Sequence, residues 1–139
     1  KIKEGNTIWH RMGDLGWVDS KGRIWFCGRK SHRVTTKTGT LFTIPCEAIF
    51  NNHPQVFRSA LVGIGPLHEQ KPVICIELEH DNVAYNKAKI KNELLGLAQQ
   101  NELAKDIKTI LFHNSFPVDI RHNSKIFREK LAVWAAKRI

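Results

Sequence analysis

Residues 11–30, RMGDLGWVDSKGRIWFCGRK, set the tightest constraint on what this chain can fold into, because two alternating runs flank a four-residue turn there. Trp17 and Asp19 alternate with Val18 on one side, and Arg23, Trp25 and Cys27 alternate with Ile24 and Phe26 on the other. A period of two on both sides of Asp19-Ser20-Lys21-Gly22 predicts a β-hairpin. Asp opens such a turn by accepting backbone N–H bonds, and Gly takes positive φ at its end without steric cost. The turn accounts for Asp19 and Gly22. It does not account for Asp14, in Gly13-Asp14-Leu15-Gly16, or for Arg29, in Gly28-Arg29. Counted along the ribbon, both lie at the end away from the turn, so that a carboxylate and a guanidinium can face one small ligand. A vicinal diol such as a ribose suits them, since Asp accepts two hydroxyl hydrogens and Arg donates to the oxygens. A surface ion pair that closes the hairpin is the competing reading, and spacing alone does not separate the two.

The rest of the chain reads as a small α+β fold. Residues 7–12, TIWHRM, form a strand leading towards Asp14. Thr35 to Gly39 form a turn between two short strands. Pro45 starts a short helix that stops at His53-Pro54. Residues 56–64 and 72–79 are β-rich runs on either side of GPLHEQK, and 109–113 supply a further strand, which together make a small mixed sheet. Asp81 caps a long helix in which Ile90, Leu94, Leu97 and Ala98 make one apolar stripe, with a break expected near Gln99-Gln100-Asn101 after Gly96. A final helix over roughly 125–138 puts Phe127, Leu131, Trp134 and Ala135 on one face, with Asn123 or Ser124 as its cap. About three helices therefore pack on the sheet, behind the N-terminal hairpin.

That boundary places Lys125 in the first turn of the final helix, where free amides and the helix dipole disfavour a cation by up to about 1 kcal/mol. An anion brought to this point would reconcile the two, since helix amides and an ammonium together form a phosphate or carboxylate site. An exposed lysine at a frayed end is the other reading.

At 139 residues with 42% hydrophobic composition, the chain can build one core and should fold as one compact unit. It has no apolar run of membrane-spanning length and no signal peptide, so a cytoplasmic protein is the expectation. Cys27, Cys46 and Cys75 form no CxxC, which points to reduced, packed thiols. The seven histidines show no ligand spacing, so no metal site is expected among these residues. A formal charge of +9 calls for an anionic partner or an acidic remainder. Nucleic acid is one candidate, although the bases are scattered and the aromatics mostly take alternating, core-like positions. Lys1 is not a methionine, which favours a fragment over a complete protein.

The residues also carry a resemblance. GDLGWVDSKGRIWFCGRK looks like the GDLG…D…G…GR signature of the adenylate-forming superfamily, which holds the acyl-CoA synthetases, luciferases and peptide-synthetase adenylation domains. FPVDIRHNSKIFREKL is similar to that family's last motif, P…(S)GKI.R..L, with Ser124 replacing its Gly, Lys125 on the catalytic lysine, and Ile126 and Arg128 on the flanking positions. Within the superfamily, WHRMGDLG (Met12 where Thr is usual), WFCGRKSHRV and VDIRHNSKIFREKLAVWA look most like the olefin-biosynthesis branch of fatty acyl-CoA ligase-like enzymes and β-lactone synthetases.

The resemblance implies a C-terminal lid domain over 31–139, with residues 1–30 at the edge of a large N-terminal domain that this chain does not contain. It implies that Asp14 and Arg29 hold the ATP ribose, and that the lid turns about Ser31, where the family has Asp or Lys. Lys125 would reach the α-phosphate and the substrate carboxylate, and the turn near Gly39 would serve the second step. Glu47 matches the first Glu of a PxEIE-like pattern, with Ile49 in place of the second, and in the family that Glu is mainly structural. ATP is the implied cosubstrate, with Mg2+ held mainly by the absent domain and CoA as a possible acyl acceptor. The implied partners are the chain's own N-terminal domain, a long-chain fatty or β-hydroxy acid whose acyl group passes to CoA or closes to a β-lactone, and other enzymes of an olefin pathway. A basic nucleic-acid-binding module remains the rival from another class.

Overall fold

A computed structural model describes the backbone of residues 1–139 and every side chain except those of Asn123 and Ser124. Two small hairpins open the chain. Strands β1 (Ile2–Glu4) and β2 (Thr7–Trp9) pair antiparallel across a two-residue Gly5-Asn6 loop, with Gly5 at φ +57°. The strand read over 7–12 therefore ends at Trp9, because its partner is residues 2–4. Strands β3 (Asp14–Val18) and β4 (Ile24–Arg29) form the predicted hairpin. Its turn is built as the sequence requires: Asp19 accepts from the backbone N–H of Lys21 at 2.9 Å and of Arg23 at 3.0 Å, and Gly22 sits at φ +75°. The Asp19 carboxylate also takes Arg23 Nε at 2.7 Å and the Trp25 indole at 2.9 Å, while the Trp17 and Trp25 rings stack 6.0 Å apart.

One 3-10 turn, Lys30–His32, leads to β5 (Val34–Thr35) and β6 (Thr40–Leu41), joined around the expected turn. Helix α1 (Thr43–Asn51) begins ahead of Pro45, which lies in the first turn where a missing N–H costs nothing. Strands β7 (Val56–Ile64) and β8 (Lys71–Leu78) follow, then α2 (Lys87–Gln99) and β9 (Thr109–Phe112). They build a sheet of order β7-β8-β9, antiparallel between β7 and β8 and parallel between β8 and β9, with α2 as the crossover. The chain ends with β10 (Val118–Asp119), β11 (His122–Ile126) and α3 (Arg128–Ala136).

Alternation along β7 and β8 sends side chains to two cores. Leu61, Ile74 and Ile76 pack with Phe50 of α1 and with Ile90, Leu94 and Ala98 of α2. Ala60, Val62, Val73 and Cys75 pack on the other face with Leu131 and Ala135 of α3. The α+β fold with three α-helices is as read. Cys27, Cys46 and Cys75 are free and buried, and among the described residues no helix is long and apolar enough to cross a membrane.

Three expectations are corrected. Asn86 caps α2 by accepting from Lys89 N–H at 3.1 Å; Asp81 does not, because its carboxylate takes the Tyr85 hydroxyl and Asn82 at φ +54° keeps the chain out of helix. Helix α3 starts at Arg128 rather than near 125, because the preceding residues pair as β11 with β10, Val118 opposite Ile126. The cap expected at Asn123 or Ser124 falls on the side chains outside those described, and the residue at the helix start, Phe127, makes no side-chain cap bond. Finally, the hairpin aromatics are not core. Trp9, Trp17, Trp25 and Phe26 are about half exposed and Ile24 is 80% exposed, whereas the two cores draw on residues from Val34 onward.

Leu94 is fully buried in the core between α2 and the sheet. Leu94→Ala should lower the unfolding free energy by about 2–5 kcal/mol. Ile120→Ala, at a site 96% exposed, should change it by less than about 0.5 kcal/mol. Urea titrations of both variants check the contrast.

Candidate active site

The register of the β3–β4 hairpin sets Asp14 directly opposite Arg29, at the end away from the turn. Arg29 Nε lies 3.1 Å from Asp14 Oδ1, and Arg29 Nη1 donates to the Met12 carbonyl at 2.5 Å. Both readings of this pair thus meet in one geometry. The Arg29 and Asp14 side chains are 51% and 39% exposed, and an ion pair so placed contributes about 0–1 kcal/mol. A ligand that offers hydroxyls to Asp14 and oxygens to Arg29 displaces little.

Glycine brings this hairpin end to the rest of the fold. Gly28 adopts φ +110°, and a Cβ there would lie 2.2 Å from Thr43 Oγ1 at the start of α1. Only a residue without a side chain allows β4 and α1 to approach so closely. Beside this contact opens a cavity of about 300 Å³, lined among others by Phe26, Arg29, His32, Thr43, Lys125 and Arg128. Arg29 and Lys125, far apart in sequence, therefore face one space.

Lys125 stands on β11, exposed, three positions before α3 begins at Arg128. It is not in a helical first turn, so the dipole argument for an anion at this point does not apply. Among the described residues it has no ion-pair partner, whereas Arg29 has Asp14 and Arg128 has Glu47. Among the described residues, Lys125 is thus the lysine or arginine lining this cavity that has no ion-pair partner. His32 stays neutral at neutral pH: burial pushes its pKa down, and the nearby Arg128, Arg29 and Lys125 charges push the same way against Glu129.

Arg128 Nη2 reaches Glu47 Oε1 at 2.6 Å and Oε2 at 2.7 Å, and Glu47 Oε1 also accepts from Leu61 N–H at 2.8 Å. Burial pushes the Glu47 carboxyl up, while the guanidinium and the Leu61 amide pull it down. Ser31 lies in the 3-10 turn between β4 and β5 and lines a neighbouring cavity of about 470 Å³ with Arg29, Arg33 and Leu67. Gly39 does not reach the Lys125 cavity. It closes the β5–β6 turn, where its carbonyl accepts from Thr36 N–H at 2.8 Å and its N–H donates to Thr36 Oγ1 at 3.1 Å. His32, Thr43 and the pairing of Arg128 with Glu47 were not foreseen; the only sequence signal was the proximity of Arg128 to Lys125. Among the described residues no group of His, Cys, Asp and Glu could hold a metal ion. The Mg2+ that the resemblance implies has no donor set here.

The fold, three helices packed with small mixed sheets, matches the C-terminal domain of adenylate-forming ligases. An anthranilate CoA ligase in complex with anthranoyl-AMP superposes with a TM-score of 0.76 at 22% identity, over 91% of this chain and 24% of that one. The sequence narrows this class. The olefin β-lactone synthetase of Xanthomonas campestris pv. campestris is 52% identical over 99% of this chain and 26% of its own length. That of Stenotrophomonas maltophilia is 45% identical over 99% of this chain and 25% of its own. The chain belongs to the olefin β-lactone synthetase family of adenylate-forming ligases, and spans about a quarter of the length of these curated relatives. No family model matches it.

Acid should separate the turn carboxylate from the rest. Bonds from the Trp25 indole and from Arg23 hold the Asp19 pKa at about 2, below its ordinary 3.8. As pH falls the unfolded chain takes up this proton first, so the contribution of Asp19 is complete above 3.8 and lost on approach to about 2. The stability difference between the wild type and Asp19→Asn, from urea titrations at a series of pH values, should be constant above pH 5 and shrink between about 4 and 2.

Proposed function

We propose that this chain is the mobile lid of an ATP-dependent carboxylate-activating enzyme, with residues 1–30 as the edge of its large N-terminal domain and Ser31 as the pivot. The observation that carries the reading is the single cavity shared by Arg29 and Lys125, with Asp14 paired to Arg29. The exposed Trp9, Trp17, Trp25 and Phe26 supply an apolar face for the N-terminal domain. The 52% identity to an olefin β-lactone synthetase supports a hydroxy acid that can close to a β-lactone as substrate; a long acyl chain, a cytoplasmic setting and neighbouring enzymes of an olefin pathway belong to the same proposal.

In the first step the substrate carboxylate attacks the α-phosphorus of ATP, the bond to the β-phosphate oxygen breaks, and pyrophosphate leaves. Asp14 accepts hydrogen bonds from the ribose hydroxyls and Arg29 donates to the ribose oxygens, which fixes the α-phosphate relative to β4. Lys125 stands across the cavity and stabilises the charge that grows on the phosphoryl oxygens. A donor fixed in advance at such a point contributes about 3–4 kcal/mol to the barrier. In the second step the substrate's own β-hydroxyl oxygen attacks the acyl carbon. The acyl–phosphate bond breaks, AMP leaves, the hydroxyl proton passes to solvent, and a β-lactone results. The lid turns at Ser31 between the steps, withdraws Lys125, and presents the Gly39 turn. CoA in place of the hydroxyl would give a thioester, which product analysis distinguishes by mass.

Three outcomes test the reading. In the whole protein, Lys125→Ala should slow pyrophosphate exchange into ATP by about 10²–10³-fold while sparing product formation from supplied acyl-adenylate. Equal loss in both would place Lys125 in a shared binding surface. Asp14→Ala should raise the ATP KM with little change in melting temperature, since an exposed ion pair contributes at most about 1 kcal/mol. The 139-residue chain alone should show no exchange.

A further inference from the structure

We propose that the buried Glu47–Arg128 ion pair is the positioning device for Lys125, a proposal that rests on the adenylating role given to Lys125 above. Neither residue faces the reacting atoms in this scheme. They act by setting the separation of the two walls of the cavity.

One wall is β4, which carries Arg29. It is seated on α1 through the contact between Gly28 and Thr43, and α1 carries Glu47. The other wall is β11, which carries Lys125 and runs through Phe127 into Arg128, the first residue of α3. Arg128 Nη2 spans the two, 2.6 and 2.7 Å from the Glu47 oxygens, and Leu61 N–H fixes Glu47 from β7 at 2.8 Å. A second anchor lies beside Arg128 at the same end of β11. Phe127 N–H donates to the Pro117 carbonyl at 2.9 Å, and Phe116 N–H donates to the buried Glu77 at 2.9 Å, which also holds Arg58 at 2.6 Å and His80 at 2.9 Å. The exposed Lys125 is thus followed, two and three residues on, by two anchors that lead to buried carboxylates, Phe127 by way of Pro117 and Phe116 to Glu77, and Arg128 directly to Glu47.

The pair is not built for stability. Its side chains are 8% and 14% exposed, and an ion pair taken out of water to that degree is often matched or bettered by apolar residues of the same size. Among the described residues, Arg128 Nε is buried with no hydrogen-bond partner, because one nitrogen, Nη2, makes both contacts to Glu47. A buried donor left unsatisfied has a cost that a purely structural contact would be expected to shed. Here the guanidinium is held in that pose at the edge of the Lys125 cavity.

The experiment is a double-mutant cycle in the whole protein, with pyrophosphate exchange as the readout. Arg128→Met should lower kcat for exchange about tenfold or more with the ATP KM little changed, and Arg128→Lys should restore most of it. Lys125→Ala/Arg128→Met should be no slower than Lys125→Ala alone, because a positioning residue has nothing left to position. Should Arg128→Met fail to fold, Glu47→Gln keeps one oxygen to accept from Leu61 N–H but sets an NH2 donor where Oε2 accepted from Arg128, and should show the same non-additivity. Full additivity of the two losses, or unchanged kcat in Arg128→Met or Glu47→Gln, overturns the proposal and leaves the role of Lys125 standing. Undiminished exchange in Lys125→Ala overturns both.

Discussion

The close approach of β4 to the start of α1 at Gly28 governs the site. Any side chain at that position would meet Thr43 Oγ1, and the backbone there has the positive φ that glycine alone tolerates without strain. With the hairpin seated on α1, Arg29 is carried to the rim of the cavity that Lys125 closes from β11. If the hairpin were displaced, Asp14 and Arg29 would remain paired and the core would remain intact, since neither core draws on β3 or on the exposed part of β4. What would be lost is the meeting of the two motifs.

The electrostatics follow the same division. The two arginines at the cavity each have a carboxylate, but the pairs differ in depth: Asp14–Arg29 is half exposed, Glu47–Arg128 nearly buried. Removing one partner of a buried pair costs about 3–5 kcal/mol, against about 0–1 kcal/mol for an exposed one. The outer pair can open to a ligand at small cost and the inner pair cannot, so the first suits recognition and the second suits placement. A net charge of +9 fits the proposed role, in which the ligand is an anionic nucleotide.

The hairpin was legible in the sequence because local chemistry fixes it: alternation sets the faces, and Asp19 and Gly22 set the turn, so the opposition of Asp14 and Arg29 follows by counting. The central sheet was legible from its apolar runs. Lys125 was misplaced because the helical spacing of Phe127, Leu131 and Trp134 carries no mark of where the helix begins, while β11 is fixed by a partner strand of two residues. The cap of α2 was misjudged because Asp81 is of a suitable type for an N-cap, and the structure gives that place to Asn86, five residues later. The Glu47–Arg128 contact joins α1 to α3 and could not be read locally. The exposed aromatics were misread because alternation shows that a strand has an apolar face without showing what covers it.

The central claim is that Asp14, Arg29 and Lys125 serve one nucleotide. A crystal structure of the whole protein with a non-hydrolysable acyl-adenylate mimic tests it most directly. The account predicts the Asp14 carboxylate within about 3 Å of both ribose hydroxyls, Arg29 donating to the ribose, and Lys125 Nζ within hydrogen-bond distance of the group that stands for the α-phosphate. A mimic bound with Asp14 still paired only to Arg29, and with Lys125 in solvent on the same side of the lid, would contradict it.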